Sequence, residues 1–246
     1  ERSRGLGDVY KRQFQKCIEI MPDYAEAHLN LGLCYLLIGD YENGWREYEW
    51  RRKLIKESND KLSKEWSGQN LENKTLLVLD EGADGNLIHF IRFIRELKKE
   101  SCKVIVQCSE EAMSLIKNQK WIDKAITADE YPEHDYYIPI GSLMNVLKYN
   151  PNHHEQTFPY IEVDSDKVSK DNTDQVSIGL VFETDKNSNA HDDESIEPGL
   201  FENIFTEEHN VICLDKYVTD KTLPGYCSKH ISYSNLEELS KAISNL

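Results

Sequence analysis

Between residues 14 and 55 the apolar side chains recur at helical spacing, whereas beyond Lys74 they gather in short runs. The first pattern predicts a helical hairpin at about 24–55. The second predicts strands at 75–80 (TLLVLD), 103–107 (KVIVQ), 125–127, 136–139 (YYIP), 177–182 (SIGLVF) and 210–215 (NVICLD). Helical stretches fall between several of these, at 87–100, 109–119, 199–206 and 235–245. Strands alternating with helices argue for a parallel sheet with helices on both faces. The run "LLVL" is apolar without alternation, as a strand buried on both sides requires. Residues 56–73 are polar and have no sustained period, so they read as a linker with Trp66 as an anchor, and "SKDNTDQ" (169–175) separates two blocks of strands. The expected organisation is α/β: a helical hairpin over 14–55, a linker over 56–73, a first Rossmann-like half over 74–168 and a second over 176–246. The second half holds only two or three strands and is expected to be incomplete.

The hairpin has the character of a repeat. In "AEAHLNLGLCYLLIGDYENGWREYEWRRKL", Leu31, Gly32 and Tyr35 are followed by Gly39, Tyr41, Gly44 and Tyr48. This is the tetratricopeptide pattern, in which small residues let two antiparallel helices approach closely. Phe14 precedes Tyr48 by 34 residues, the period of that repeat, and Pro22 stands where the repeat ends a helix. One full repeat and the end of another cannot bury their faces alone. Either further repeats lie upstream, or the pair rests on the next domain. Trp45, Tyr48 and Trp50 in "GWREYEWRRKLIK" favour a docking helix over stacking on a ligand. The opening "ERSRGLGDVYKRQ" (1–13) fits nothing downstream and reads as a non-native leader; no strand precedes its "GLGD", so that motif is no phosphate turn.

A chain of 246 residues can bury a core without staples. Its 29 basic and 44 acidic residues, a net charge of −15, argue against a nucleic-acid groove or an anionic membrane as partner. The longest apolar runs are strand-sized, so no membrane span is expected, and no charged n-region with an apolar h-region indicates secretion. The six cysteines lie far apart without a C-x-x-C, which fits free thiols in a reducing cytoplasm.

Chemistry is sought first in "LLVLDEGADGNLIHFIRFIRELKK" (76–99), a strand, a glycine-bearing turn and a helix. An α/β protein commonly holds a phosphate or nucleotide sugar at such a turn. Here it carries Asp80, Glu81 and Asp84 and no cation. Tetratricopeptide repeats, a W-x-G-x-x-L segment, a strand ending in Asp-Glu with a G-L-G-D turn, and an F-I-R helix typify a known family. The chain resembles tetratricopeptide proteins with a heptosyltransferase-like glycosyltransferase domain of GT-B fold, through "EWSGQNLENKTLLVLDE", "IHFIRFIRELKKESCKVIVQC", "DYYIPIGSLMNVL" and "SIGLVFETDKNSNAHDDESIEPGLF".

The resemblance implies a Rossmann-like fold and sugar transfer from a nucleotide sugar to a protein or glycan acceptor, with no cofactor and no metal. It also implies a protein partner for the repeat. The family's base is the Asp closing G-L-G-D. Asp80, Glu81 and Gly85 match that motif, but Ala83 replaces its first glycine and Asn86 falls on the base. An amide cannot accept a proton near neutral pH, so Asn86 fails as the family's base, and Asp84, two residues earlier, takes over only if the turn is reshaped. The resemblance places substrate near Asp80, Glu81 and Gly85; His89, one turn from the loop on the expected helix, is a further substrate-binding candidate, although a core or surface histidine is the commoner fate. In the second half, Phe182-Glu183-Thr184 and Glu194-Ser195 replace the family's Trp-x-Gly and Arg-Ser, and a Glu in place of Arg repels a diphosphate. The family's donor segment would begin after "LEELSKAISNL", so the chain is expected to be truncated at both ends.

Two further clusters offer metal chemistry. "AHDDES" (190–195) reads as a solvated acidic loop rather than a cation site, and adjacent histidines in "NHH" (152–154) point apart too readily to bind zinc. The expected function is a glycosyltransferase-like protein, inactive as this chain; the alternatives are a non-catalytic tetratricopeptide interaction module on a decayed transferase fold, or a generic nucleotide-binding domain. The acidic turn is expected at the carboxyl edge of the sheet, opening on the cleft between the two halves.

Overall fold

A computed structural model describes residues 2–55, 62–82, 84–97, 101–153, 158–163, 176–181, 197–206, 208–214, 223–244 and 246, with backbone alone for residues 2–8. The chain is α/β and forms two compact units, Glu1–Ile161 and Glu162–Leu246.

The first unit opens with three helices, α1 (Arg2–Ile20), α2 (Ala25–Leu37) and α3 (Tyr41–Tyr48), the last continued by a 3-10 turn at Glu49–Lys53. Helix α1 takes in most of the stretch read as a leader. Gly39 ends α2 at φ 85°, and the amides of Gly39 and Asp40 reach back to the Leu36 and Tyr35 carbonyls. This double hydrogen bond satisfies orphan carbonyls at the helix end. Asp40 then caps α3 by accepting from the Asn43 amide. A Cβ on Gly32 would sit 2.8 Å from the Tyr48 amide nitrogen, and one on Gly44 would sit 2.6 Å from Leu36 Cδ2. The two glycines therefore set the separation of α2 and α3. His28 lies flat on Trp50, its ring nitrogens meeting the Glu47 carboxylate at 2.6 Å and the Pro22 carbonyl at 2.8 Å.

A five-stranded parallel sheet follows in the same unit. Its strands are β1 (Lys64–Glu65), β2 (Thr75–Leu79), β3 (Lys103–Gln107), β4 (Lys124–Ile126) and β5 (Tyr136–Pro139), in the order β1-β5-β2-β3-β4. Leu76, Leu77 and Val78 are all fully buried, so both faces of the central strand are covered. Leu77 and Leu79 pack with Ile105 and Ile126 on one face. The crossovers carry α4 (Asp84–Phe90), α5 (Ile94–Leu97) after a 3-10 turn, and α6 (Glu110–Lys117); a short α7 (Leu143–Val146) follows β5.

Two expectations change. Part of the stretch read as a linker pairs with the sheet: Lys64 and Glu65 lie beside Tyr136 and Tyr137, and Trp66 and Leu71 are buried. Polarity concealed this short edge strand. The helix expected from 87 begins at Asp84 instead, so Gly85 and Asn86 belong to α4 rather than to the turn.

The second unit is a three-stranded parallel sheet, β6 (Val176–Leu180), β7 (His209–Cys213) and β8 (Lys229–His230), in that order. Helix α8 (Leu236–Ser244) brings Leu239 and Ala242 against Ile212 and Leu214, while Phe201, Phe205 and Tyr226 cover Val211 and Cys213. Alternate residues of β7 thus face opposite layers. The helix expected at 199–206 is reduced to a 3-10 turn at Pro198–Phe201. "SKDNTDQ", Phe182-Glu183-Thr184 and "AHDDES" lie outside the described residues.

The Gly32 contact is with backbone and the nearest Gly44 contact is with a side-chain end, so the two glycines should differ. Gly32→Ala should lower stability by about 1–3 kcal/mol in urea unfolding, as overpacking does, and Gly44→Ala by less. Equal losses would show that helix separation is not what Gly32 protects.

Candidate functional site at the switch point

From β2 the chain steps outward to β3 and β4, then returns to lay β5 on the other side of β2. The strand order therefore reverses between β2 and β5, and a crevice at the carboxyl ends of such strands is where open α/β sheets take ligands. Leu79 and Pro139 are paired at that edge. The acidic turn lies directly beyond Leu79, and the 3-10 turn Ile140–Ser142 directly beyond Pro139.

Arg51 enters this crevice from the helical repeat. Its Nε donates to Glu81 Oε1 at 2.9 Å and its Nη2 to Glu81 Oε2 at 3.0 Å, a two-pronged pair with side chains only 9% and 8% exposed. Glu81 Oε2 also accepts from the Gly141 amide at 2.7 Å. Nη2 gives its second proton to Ser142 Oγ, and Nη1 donates to Glu49 and to the Tyr48 carbonyl. Ser142 Oγ in turn donates to Glu49 Oε2 at 2.8 Å. Burial alone would lower the guanidinium pKa, but the bonds and charge of Glu81, with the charge of Glu49, raise it above its ordinary value. A Cβ on Gly141 would lie 2.5 Å from Glu81 Oε2 and 2.7 Å from Arg51 Nη2, so only glycine leaves room for the pair.

The remaining turn residues have other surroundings. Gly82 adopts φ 83° with open space where a Cβ would stand, and it turns the chain from β2 toward α4. Asp80 Oδ1 is buried with no hydrogen-bond partner among the described residues. Burial pushes its carboxyl above the usual range, opposed by the Gly82 amide and assisted by the charge of Asp84. Asp84 Oδ1 accepts from Ser109 Oγ at 2.7 Å, while the same Oγ caps α6 by accepting from the Ala112 amide. Beside them Cys108 is buried, and burial followed by the charges of Asp80 and Asp84 pushes its thiol up to about 11. A neutral, buried thiol is no nucleophile.

Of the residues expected at the site, Asp80, Glu81 and Asp84 are gathered at the carboxyl end of β2. Glu81 does not present a free carboxylate there: it is occupied by Arg51 and Gly141. Gly85 and Asn86 are exposed on the first turn of α4. His89 lies further along α4 at the surface, where Arg92 Nη2 is 3.3 Å from its Nε2; partial desolvation of the ring and then that cation lower its pKa. The sequence reading missed Arg51, Gly141, Ser142 and Ser109. The run of cations in "EWRRK" opposite an acidic turn was the available signal for Arg51. Gly141 and Ser142 carry no local signature. Among the described residues no group of His, Cys, Asp and Glu could hold a metal ion, and no helix is long and apolar enough to cross a membrane.

Removing Arg51 alone would strand a buried carboxylate. Arg51→Met should cost about 3–5 kcal/mol in urea unfolding, and the double variant Arg51→Met/Glu81→Leu should recover most of it. A double variant as unstable as the single one would refute the pairing energetics. The thiols supply a pH test. Cys108 and Cys227 are each raised from 9.0 to about 11, chiefly by burial. Over that interval the folded chain keeps protons that the unfolded chain has lost, so stability should fall as pH rises through it. Replacing both cysteines with Ala should flatten the alkaline limb of a melting-temperature profile.

Residues 13–45 match the family model described as tetratricopeptide repeat, so the chain carries that repeat where α1, α2 and α3 lie. No curated protein matches the chain in sequence. Among solved structures the chain is similar to the bacterial iron-containing dodecameric glycosyltransferase TibC from enterotoxigenic E. coli H10407, with 10% identity and a TM-score of 0.49. The similarity covers 72% of this chain and 52% of the other, so the chain spans about half the length of that protein.

Proposed function

We propose that the chain is a glycosyltransferase-like protein that moves a sugar from a nucleotide sugar to a glycan or protein acceptor. In this reading the acceptor hydroxyl lies at the switch point, and Asp84 takes its proton in place of Asn86. The supporting observation is the position of Asp84 at the start of α4, just past the carboxyl end of β2, with Ser109, just past the end of the neighbouring β3, holding one of its oxygens at 2.7 Å. A carboxylate fixed by one hydrogen bond retains a second oxygen to accept a proton. The site is poorly equipped, because Glu81 is engaged by Arg51 and residue 86 is an amide. Slow turnover at most is therefore expected, against the inactivity expected from the sequence.

A second reading has its own support. The pair between Arg51 and Glu81 gives the acidic turn a structural task, as expected of a transferase fold retained as a platform for a tetratricopeptide interaction module. Uridine and guanosine diphosphate sugars, titrated by calorimetry and followed for nucleoside diphosphate release, separate the two. The transferase reading expects slow release that Asp84→Asn removes and Asn86→Asp does not accelerate. Release unaffected by Asp84→Asn would overturn the role of Asp84. A folded chain with no release and no donor affinity would leave the interaction module.

A further inference from the structure

A cavity of about 550 Å³ opens at the seam between the helical repeat and the sheet, between α3 on one side and α7 with the following loop on the other. Its volume falls in the range of small-molecule sites. Tyr41 and Trp45 contribute aromatic walls from α3, and Tyr149 closes the other side. Trp45 Nε1 already donates to the Tyr149 carbonyl at 2.9 Å. The polar edge of the indole is thereby satisfied, and the ring is held in one orientation, with Tyr48 at right angles to it at a centroid distance of 6.0 Å.

Around these rings stand polar groups with no such engagement. The side chains of Asn145, Lys148 and His153 line the cavity and make no hydrogen bond or ion pair with any described residue. Arg46 projects beside them, 63% exposed, with its Nη2 donating to Asn43 Oδ1 at 2.6 Å and its Nε 3.8 Å from Glu47 Oε1, so Lys148 is the cation on the wall without an engagement among the described residues, and Glu42 is the only acid lining it among them. In a chain of net charge −15 this is a local excess of cations. Lys148 also has φ 50°, a left-handed conformation that glycine or asparagine adopts more cheaply than lysine. A lysine there at a cost in backbone energy is consistent with a use for its ammonium group.

We propose that this cavity binds a carboxylated saccharide. The sugar ring lies against the aromatic wall, the Asn145 amide meets its hydroxyls, and its carboxylate faces Lys148 and Arg46. A single carboxylate suits the modest excess of cations better than a di- or triphosphate, which Glu42 would repel. The choice of a sugar rests on the sugar-transfer reading above; the choice of an anion rests on the cavity alone. Binding is measured without a donor, so failure of transfer and failure of this site are separate results.

The test uses the whole chain, titrated with digalacturonate and with its neutral counterpart galactobiose, by calorimetry and tryptophan fluorescence. Digalacturonate should bind about tenfold or more tightly than galactobiose, since a charge-assisted hydrogen bond is at stake. Lys148→Asn should remove most of that preference. Asparagine tolerates the left-handed backbone, so this variant keeps the fold. Trp45→Phe should weaken both sugars and leave their ratio unchanged. Equal affinity for the two sugars, no binding of either, or an unchanged preference in Lys148→Asn would overturn the proposal. Tighter binding of uridine diphosphate or of an acidic peptide in the same cavity would overturn the assignment to a saccharide.

Discussion

The guanidinium of Arg51 donates all five of its N–H groups, to Glu81, Ser142, Glu49 and the Tyr48 carbonyl, while almost wholly withdrawn from water. Taking such a charge out of water costs several kcal/mol even after relaxation, so the arrangement stands only because every donor finds an acceptor. A hydrophobic contact of the same size could hold two elements together as firmly. It could not fix their rotation. Three directed bonds to the segments beyond β2 and β5, with two more inside its own turn, leave the 3-10 turn after α3 one position against the ends of those strands. Arg52 adds a second two-pronged pair with Glu65, tying the same turn to the edge strand β1.

This joint covers the α3 end of the repeat. Tetratricopeptide helices stack on neighbouring repeats because a single pair leaves an apolar face uncovered. Here the sheet domain takes the place of the next repeat on the α3 side, through Trp45 on the Tyr149 carbonyl and through Arg51 at the switch point. Gly32 and Gly44 bring α2 and α3 together, and Gly141 makes room for Glu81. Glycines at both levels are needed for the same reason: backbone must approach where a methyl group would block it.

Much of this architecture was legible in the sequence. The strands at 75–79, 103–107 and 136–139 emerge from their apolar runs because central parallel strands have no solvent face to disguise them. The hairpin emerges from the spacing of its small and aromatic residues. Lys64–Glu65 was missed because an edge strand of two charged residues looks like a linker until Tyr136 and Tyr137 stand beside it. The site was legible in part. Periodicity placed Asp80 and Asp84 at the strand end, but nothing local revealed that Glu81 faces an arginine thirty residues earlier. Long-range ion pairs leave no period, only complementary charges that many partners could satisfy.

The crowding of carboxylates at the end of β2 constrains the chemistry this edge can perform. Asp80 is raised first by burial and then by the charge of Asp84, and the same two charges help keep the Cys108 thiol protonated. A phosphate-binding turn needs the opposite field, with amides or cations facing the ligand and few competing anions. Arg51, a cation at this edge, has given its donors to Glu81 and its neighbours. A diphosphate arriving there would meet negative charge and a guanidinium already saturated. A neutral hydroxyl would meet carboxylate oxygens able to accept its proton. The electrostatics of the turn therefore favour an uncharged hydroxyl over a phosphate at this edge.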